Sequence, residues 1–279
     1  MVGETRLVKY LKYAAVVVSL VIFLFPVYWL VNQSFKDAAE FTANPPTLVV
    51  QNPTLDNYRD IWINQDFPVY MKNSFIVASG AAIMAVTIGT MAAYSLARFR
   101  MSRNFNYHML FAILTVRMFP PIVTIIPLFA WFTRLGLHDT RIGLVLLHGF
   151  AELPLVIWMM IGFFREVPRD MEEAALVDGD HRLAVLWKIA VPLAKPGIAA
   201  TAILVFISSW NEFLYALIMT QSQDSMTLPK AVAGQITQFD IKFGNLMAAG
   251  VVTTVPVLFL ALLAQRHLTR GLTVGGVTG

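Results

Sequence analysis

Long apolar runs separated by short polar passages set the pattern of this chain. Six runs approach the ~20 mostly apolar residues that a helix needs to cross a hydrocarbon core while satisfying its own backbone polar groups. They are Tyr13 to Val31, Ser74 to Ala97, Tyr107 to Phe132, Ile142 to Phe164, Gly197 to Thr220 and Phe243 to Gln265. The pattern predicts an all-α polytopic membrane protein with six transmembrane helices. Residues 1–31 read as an N-terminus and first span, 32–73 as a lightly structured loop with NPP and NPT turns, 74–268 as a core of five spans, and 269–279 as a tail. The first run reads as a retained span rather than a cleaved signal, because no small-x-small site follows it.

One passage breaks this pattern, residues 165–196 between the fourth and fifth spans. Asp170 is expected to cap a short helix whose first turn holds Glu172 and Glu173, with Glu173 reaching back to the cap. Gly179 is placed to end that helix, since it accepts the left-handed conformation of a C-terminal cap. Ala174 and Ala175 give it a smooth surface. A second helix is expected from Asp180, with Leu183, Leu186, Trp187 and Ala190 on one stripe and Arg182 and Lys188 opposite. Pro192 and Pro196 then turn the chain back at Gly197. A plain connector needs none of this. An amphipathic helix lying on lipid is one reading. A docking surface for a soluble partner is the other, favoured because carboxylates gain nothing at an anionic membrane surface.

Composition agrees with a membrane protein: 57% of residues are hydrophobic and only 14% charged. The formal net charge is +4, but no stretch offers the clustered basic face that nucleic acid requires. The basic residues serve orientation instead. Those flanking the spans concentrate on the side that carries both termini and 165–196, which is therefore expected to be cytoplasmic. The chain has no Cys, which excludes disulfides, thiolate metal sites and cysteine nucleophiles. It also lacks a GxxxxGK[ST] loop, an HExxH and a GxSxG, so no nucleotide site or catalytic centre is recognisable and the chain does not read as an enzyme. His108, His138, His148, His181 and His267 stand singly and read as loop or helix-end residues rather than metal ligands. Uphill transport would need an ion gradient or an energy-supplying partner.

Three charges, Arg117, Glu152 and Glu212, fall within spans. Each costs ~2.5–3.5 kcal/mol there unless it meets water or a partner, so all three are expected to face the bundle interior. The Phe119-Pro120-Pro121 step should open the third helix. An ion-coupled transporter or channel relaying protons through the three charges stays open on these grounds.

Glu173-Ala174-Ala175, three residues, Gly179, nine residues and Ile189-Ala190-Val191-Pro192 resemble the EAA signature of binding-protein-dependent ABC importer permeases, with Val191 where leucine is usual. NPTLDNYRDI, NSFIVASGAAIMAVTIGTMAAYSLARFRM, SSWNEFLYALIMT and RGLTVGGVTG resemble its carbohydrate branch, the MalG-like subunits. The likeness runs from about Phe35 to Gly279. It implies a type I ABC importer permease fold in a prokaryotic inner membrane, with both termini cytoplasmic. It implies a MalF-like second permease subunit, two copies of a cytoplasmic ATPase that bind ATP and Mg, an extracytoplasmic solute-binding protein and a sugar as cargo, with no cofactor on this chain. It further implies that Glu172, Glu173, Ala174, Ala175, Asp178, Gly179, Ile189 and Pro192 couple to the ATPase, and that the loop Gln221 to Gly244 probes the binding protein. A translocation path is then expected at Arg117, Glu152, Trp210, Asn211, Glu212 and Tyr215, where aromatic faces and acceptors suit sugar hydroxyls. A structural ion pair of Glu212, with Arg117 or across to the second permease subunit, is the alternative.

Overall fold

The computed structural model describes residues 6–41, 43–99, 103–236 and 241–274. Residues 237–240 of the expected probing loop and 275–279 of the tail lie outside them. Among the described residues the regular structure is helical, apart from one isolated bridge between Ile236 and Ile241. Helices α1 (Arg6–Ser34), α4 (Phe67–Arg98), α7 (Arg141–Glu166) and the segment Phe243–Gln265 of α14 (Phe243–Val274) are each long and apolar enough to cross a membrane. Two bent pairs raise the number to six if each counts as one span.

Two of the expected spans are interrupted, the third span where the Phe119-Pro120-Pro121 step predicts an opening. The third is two helices, α5 (Arg103–Met118) and α6 (Pro121–Arg134), bent by 91°. Pro120 and Pro121 cannot donate backbone N–H bonds, which accounts for a break at this point. The fifth is α11 (Lys195–Trp210) followed by α12 (Leu214–Met219), and a break at Asn211–Phe213 separates them. At 1.5 Å per residue the 16 residues of α11 reach only ~24 Å, short of a ~30 Å hydrocarbon core. Before α11 come α9 (Arg182–Val185), a π-helical turn π2 (Leu186–Ala190) and α10 (Val191–Leu193). The Arg182–Leu193 run meets α11 at 80°.

The chain divides into two compact units. One joins Met1–Phe67 to Val232–Thr254. Its helix α1 exposes its apolar side chains from Leu7 to Phe25, and its most apolar stretch is 0% buried. In a bilayer such a surface belongs against lipid or another apolar helix. The 32–67 segment is tied far more firmly than its composition implied, through α2 (Ala38–Phe41), α3 (Asp56–Arg59) and the π-helical turn π1 (Asp60–Asn64). Asn32 donates to Leu48 O at 3.1 Å and accepts from Val50 N at 3.0 Å. The Glu40 carboxylate accepts from Thr47 Oγ1 at 2.6 Å and Gln51 N at 3.1 Å. Asp60 gathers the side-chain amides of Asn64, Gln65 and Asn245.

The second unit joins Pro68–Ala231 to Val255–Gly279. Glycines let α4 and α7 approach closely: a Cβ at Gly89 would stand 2.6 Å from Val156, and one at Gly149 would stand 2.9 Å from Met84 Sδ. Two apolar clusters form here. The larger gathers Ala85, Ala93, Tyr94, Val156, Met160, Phe164, Leu186, Ala190 and Val205 from α4, α7, π2 and α11. The smaller gathers Val77, Ile125, Leu144, Leu147 and Met219 from α4, α6, α7 and α12.

Candidate functional site

The EAA-like passage folds as a short capped helix on a buried base. Val167 precedes a proline, which pushes it to extended backbone (φ −70°, ψ 123°). Helix α7 therefore stops at Glu166 and α8 (Arg169–Val177) starts afresh after Pro168. The expected capping box does not form: the cap position is Pro168, with no side-chain bond. At the other end Gly179 takes φ +95°, its N–H bonds Leu176 O, and Asp180 N–H bonds Ala175 O. This pair of bonds is a Schellman closure, and the glycine ends the helix where the sequence placed its end.

Glu172 departs from expectation. It is buried, and its Oε1 accepts from Arg98 Nε at 2.8 Å. Arg98 Nη2 also lies 2.8 Å from that oxygen, with both side chains only 6–7% exposed. Tyr94 Oη donates to Oε2 at 2.9 Å, and Arg98 Nη2 donates to Val167 O at 2.9 Å. Glu172 thus nails the first turn of α8 to the last turn of α4. The outward face consists of Met171, Glu173, Ala174, Val177, Asp178 and Gly179, with Val177 87% exposed.

The following segment buries a different stripe from the one expected. Val185, Leu186, Ala190 and Ala194 are buried, whereas Leu183 and Trp187 are exposed. Pro192 has no N–H for the carbonyl of Lys188, and the Val191 N–H reaches back five residues to Leu186 O. This wide turn shifts the register of the inward face. Ile189 is half-buried, Pro192 is exposed, and Lys188 Nζ bonds Asp180 Oδ1 at 2.7 Å.

A second polar constellation lies between the two apolar clusters. Arg117 Nη1 is 3.2 Å from Glu152 Oε2, with side-chain exposures of 43% and 11%. Glu152 Oε1 accepts from Ser208 Oγ at 2.6 Å. One turn earlier on α7, His148 Nδ1 is 2.7 Å from Ser209 Oγ, and its Nε2 is 3.4 Å from Glu212 Oε2. Glu212 in turn accepts from the backbone N–H of Tyr215 and Ala216, and so caps α12. Arg117 pairs with Glu152 and not with Glu212. Trp210 is buried, while Asn211 is exposed and Tyr215 half-buried.

His148, like Glu172, stands elsewhere than the sequence predicts. It is 2% exposed, within a spanning helix and part of this network, not at a loop or helix end. Its spacing of four from Glu152, opposite consecutive Ser208 and Ser209, carried the signal. Tyr94 and Arg98, also four apart, carried a similar signal for the base of α8.

The start of the 221–244 loop is fixed in place. Asp139, at φ +56°, accepts from Gln221 N at 2.7 Å, Ser222 N at 2.9 Å and Ser225 Oγ. Burial alone would raise its carboxyl pKa, but these donors outweigh it and hold the group well below the usual carboxylate range. Asn73 donates to Gln223 O and Met226 O, both at 2.9 Å, and Ser74 Oγ accepts from Leu228 N at 2.8 Å. Lys230, on α13 (Leu228–Ala233), donates through Nζ to Leu217 O of α12 and to Thr220 O at its C-terminal cap. Burial lowers the pKa of Lys230, against the opposing pull of the Asp139 charge.

Residues 85–274 match the model of a family described as binding-protein-dependent transport system inner membrane component. The chain is 35% identical to the trehalose/maltose transport system permease protein MalG of Thermococcus litoralis, covering 99% of each chain. It is 37% identical to the trehalose transport system permease protein SugB of Mycobacterium tuberculosis, over 92% of this chain and 93% of that one. Among solved structures, a chain of a bacterial ABC transporter involved in alginate import superposes with a TM-score of 0.81 at 22% identity, covering 95% of this chain and 99% of the other.

Proposed function

This chain belongs to the family of binding-protein-dependent transport system inner membrane components, and from that premise we propose that it is a translocation subunit of an ATP-driven sugar importer. It lines the pathway together with a MalF-like second permease subunit. A solute-binding protein delivers the sugar outside, and two copies of a cytoplasmic ATPase hold the ATP and Mg. Both termini, including the tail 269–279, lie in the cytoplasm, and the cycle is alternating access. The names of the curated relatives support a sugar as cargo.

The observation that carries the coupling role is α8. A free nine-residue helix would be too short to hold its shape in water. Here the buried Arg98–Glu172 pair and the Gly179 closure fix its two ends. Between them Glu173, Ala174, Asp178 and Gly179 face outward beside exposed Met171 and Val177. That face combines small, acidic and apolar side chains, which suits a groove on a soluble partner better than a lipid surface. Ile189 and Pro192 act behind it by shaping the wide turn. The polar layer at Arg117, Glu152, Trp210, Asn211, Glu212 and Tyr215 contributes to the path mainly as framework, because most of its charged atoms are bonded within the chain.

The test is uptake by proteoliposomes holding the full assembly. Sugar should accumulate with ATP inside, and a cysteine at Ala174 should cross-link to the ATPase. Accumulation driven by a proton gradient with no ATPase present would sink the reading in favour of an ion-coupled transporter.

A further inference from the structure

Three interruptions coincide in the second unit. Helices α5 and α6 part at Phe119–Pro120, and α11 and α12 part at Asn211–Phe213. Helix α7 contains Pro154, which removes the N–H that would bond Phe150 O. All three fall at the level of the polar layer. Along α7, Leu144 and Leu147 belong to the smaller apolar cluster, His148 and Glu152 to the layer, and Val156 and Met160 to the larger cluster. The other broken spans follow the same order: α6 and α12 supply Ile125 and Met219 to the smaller cluster, while Val205 of α11 joins the larger.

We propose that this layer is a hinge and that His148 is its positioning residue. Helices α6 and α12, with the first turns of α7, move as one body against the remainder of α7 and α11. Packed apolar clusters resist gradual deformation, so motion concentrates where backbone bonds are missing and polar partners can be exchanged. His148 sets the pivot because its Nδ1 bonds Ser209 in the last turn of α11, while its buried Nε2, which makes no hydrogen bond, lies 3.4 Å from the Glu212 carboxylate that caps α12. Arg117 and Glu152 tie the end of α5 to the same level, and the half-exposed Arg117 is the rung that can open.

The inference rests on the alternating-access cycle proposed above. Its test uses the assembled transporter in nanodiscs with spin labels on cysteines introduced into this chain, which has no Cys of its own. Exposed Ile126 on α6, Leu217 on α12 and Trp158 on α7 are the sites. Between the nucleotide-free and nucleotide-bound states the 126–158 distance should shift, while 126–217 holds. His148→Ala should broaden 126–217 and raise the ATP consumed per sugar without lowering the yield of complex. Ser209→Ala should do the same, with the double variant no worse than either single. The hinge is overturned if 126–217 shifts as much as 126–158, if neither shifts while ATP-driven uptake proceeds, or if His148→Ala only lowers yield. Loss of both the distance response and ATP-driven uptake in the unsubstituted chain would instead overturn the cycle.

Discussion

The buried pair beneath α8 gives the sharpest quantitative expectation. Replacing Arg98 by Met leaves the Glu172 carboxylate 7% exposed with the Tyr94 hydroxyl alone against it. An uncompensated buried charge of this kind costs ~3–5 kcal/mol. The loss of the donor to Val167 O adds ~1 kcal/mol. At 1.36 kcal/mol per decade, the charge alone favours opening of the α8 base by roughly 10²–10⁴. Pairing Arg98→Met with Glu172→Leu removes both charges and should restore most of the loss, since apolar replacement of a whole buried ion pair is close to neutral. Hydrogen exchange in the assembled complex reads this directly at the amides of Asp178, Gly179 and Asp180, which close the helix onto Ala174, Leu176 and Ala175. The single variant should exchange faster by the stated factor and the double variant close to the native rate. A single variant as slow as the native chain, or a double variant faster than either single, would refute the idea that this pair secures the helix.

Three further outcomes are expected. At Gly179 an added Cβ meets nothing within 4 Å and φ is positive, so the main cost of Gly179→Val is the left-handed backbone, ~1–2 kcal/mol; the protein should insert normally while ATP hydrolysed per sugar rises in proteoliposomes. Asp139→Asn should speed limited proteolysis in 221–227 at both pH ~7 and pH ~5. The native loop should be equally resistant at both, because a depressed carboxyl stabilises above its unfolded pKa of ~3.9 and is lost only as pH falls through the lower folded value. Glu212→Ala removes the acceptor that caps α12, a loss of ~0.5–2 kcal/mol, and should raise the reactivity of a cysteine placed at Leu217.

How far the sequence could be read depended on the range of the cause. The continuous spans α1, α4 and α7 follow from local apolar length, and each contains the run expected there. The Gly179 closure is also local, since only backbone conformation is at stake. The misplaced residues are those whose partners lie far along the chain. Glu172 looks like a helix-start carboxylate until Arg98, 74 residues away, turns it inward. His148 looks isolated until Ser209, 61 residues away, meets it. The amphipathic stripe expected at 183–190 is displaced for a third reason: a steady 3.6-residue period does not run through a stretch where Pro192 forces a wider turn. The break in the fifth span was hidden because Trp210, Phe213 and Leu214 keep the run apolar, and hydropathy does not register where backbone bonds stop.

Stiff and soft positions in the second unit are arranged in a way that bears on how work done at α8 would reach the membrane. A push on an exposed helix moves the spans only if its attachment yields less than the spans do. The attachment here is doubly charged, buried and bonded to α4 and to the α7–α8 joint. Behind it the larger apolar cluster packs Leu186 and Ala190 against Tyr94 and Phe164. The first place along that route where bonds are both missing and exchangeable is the layer at His148 and Glu152. Weakening the base should therefore waste ATP without altering the 126–158 distance that nucleotide can reach, whereas weakening the layer should alter that distance as well. Arg98→Met and His148→Ala, compared in one preparation, separate these cases: if both variants change the distance alike, force does not travel from α8 through the larger cluster to the layer.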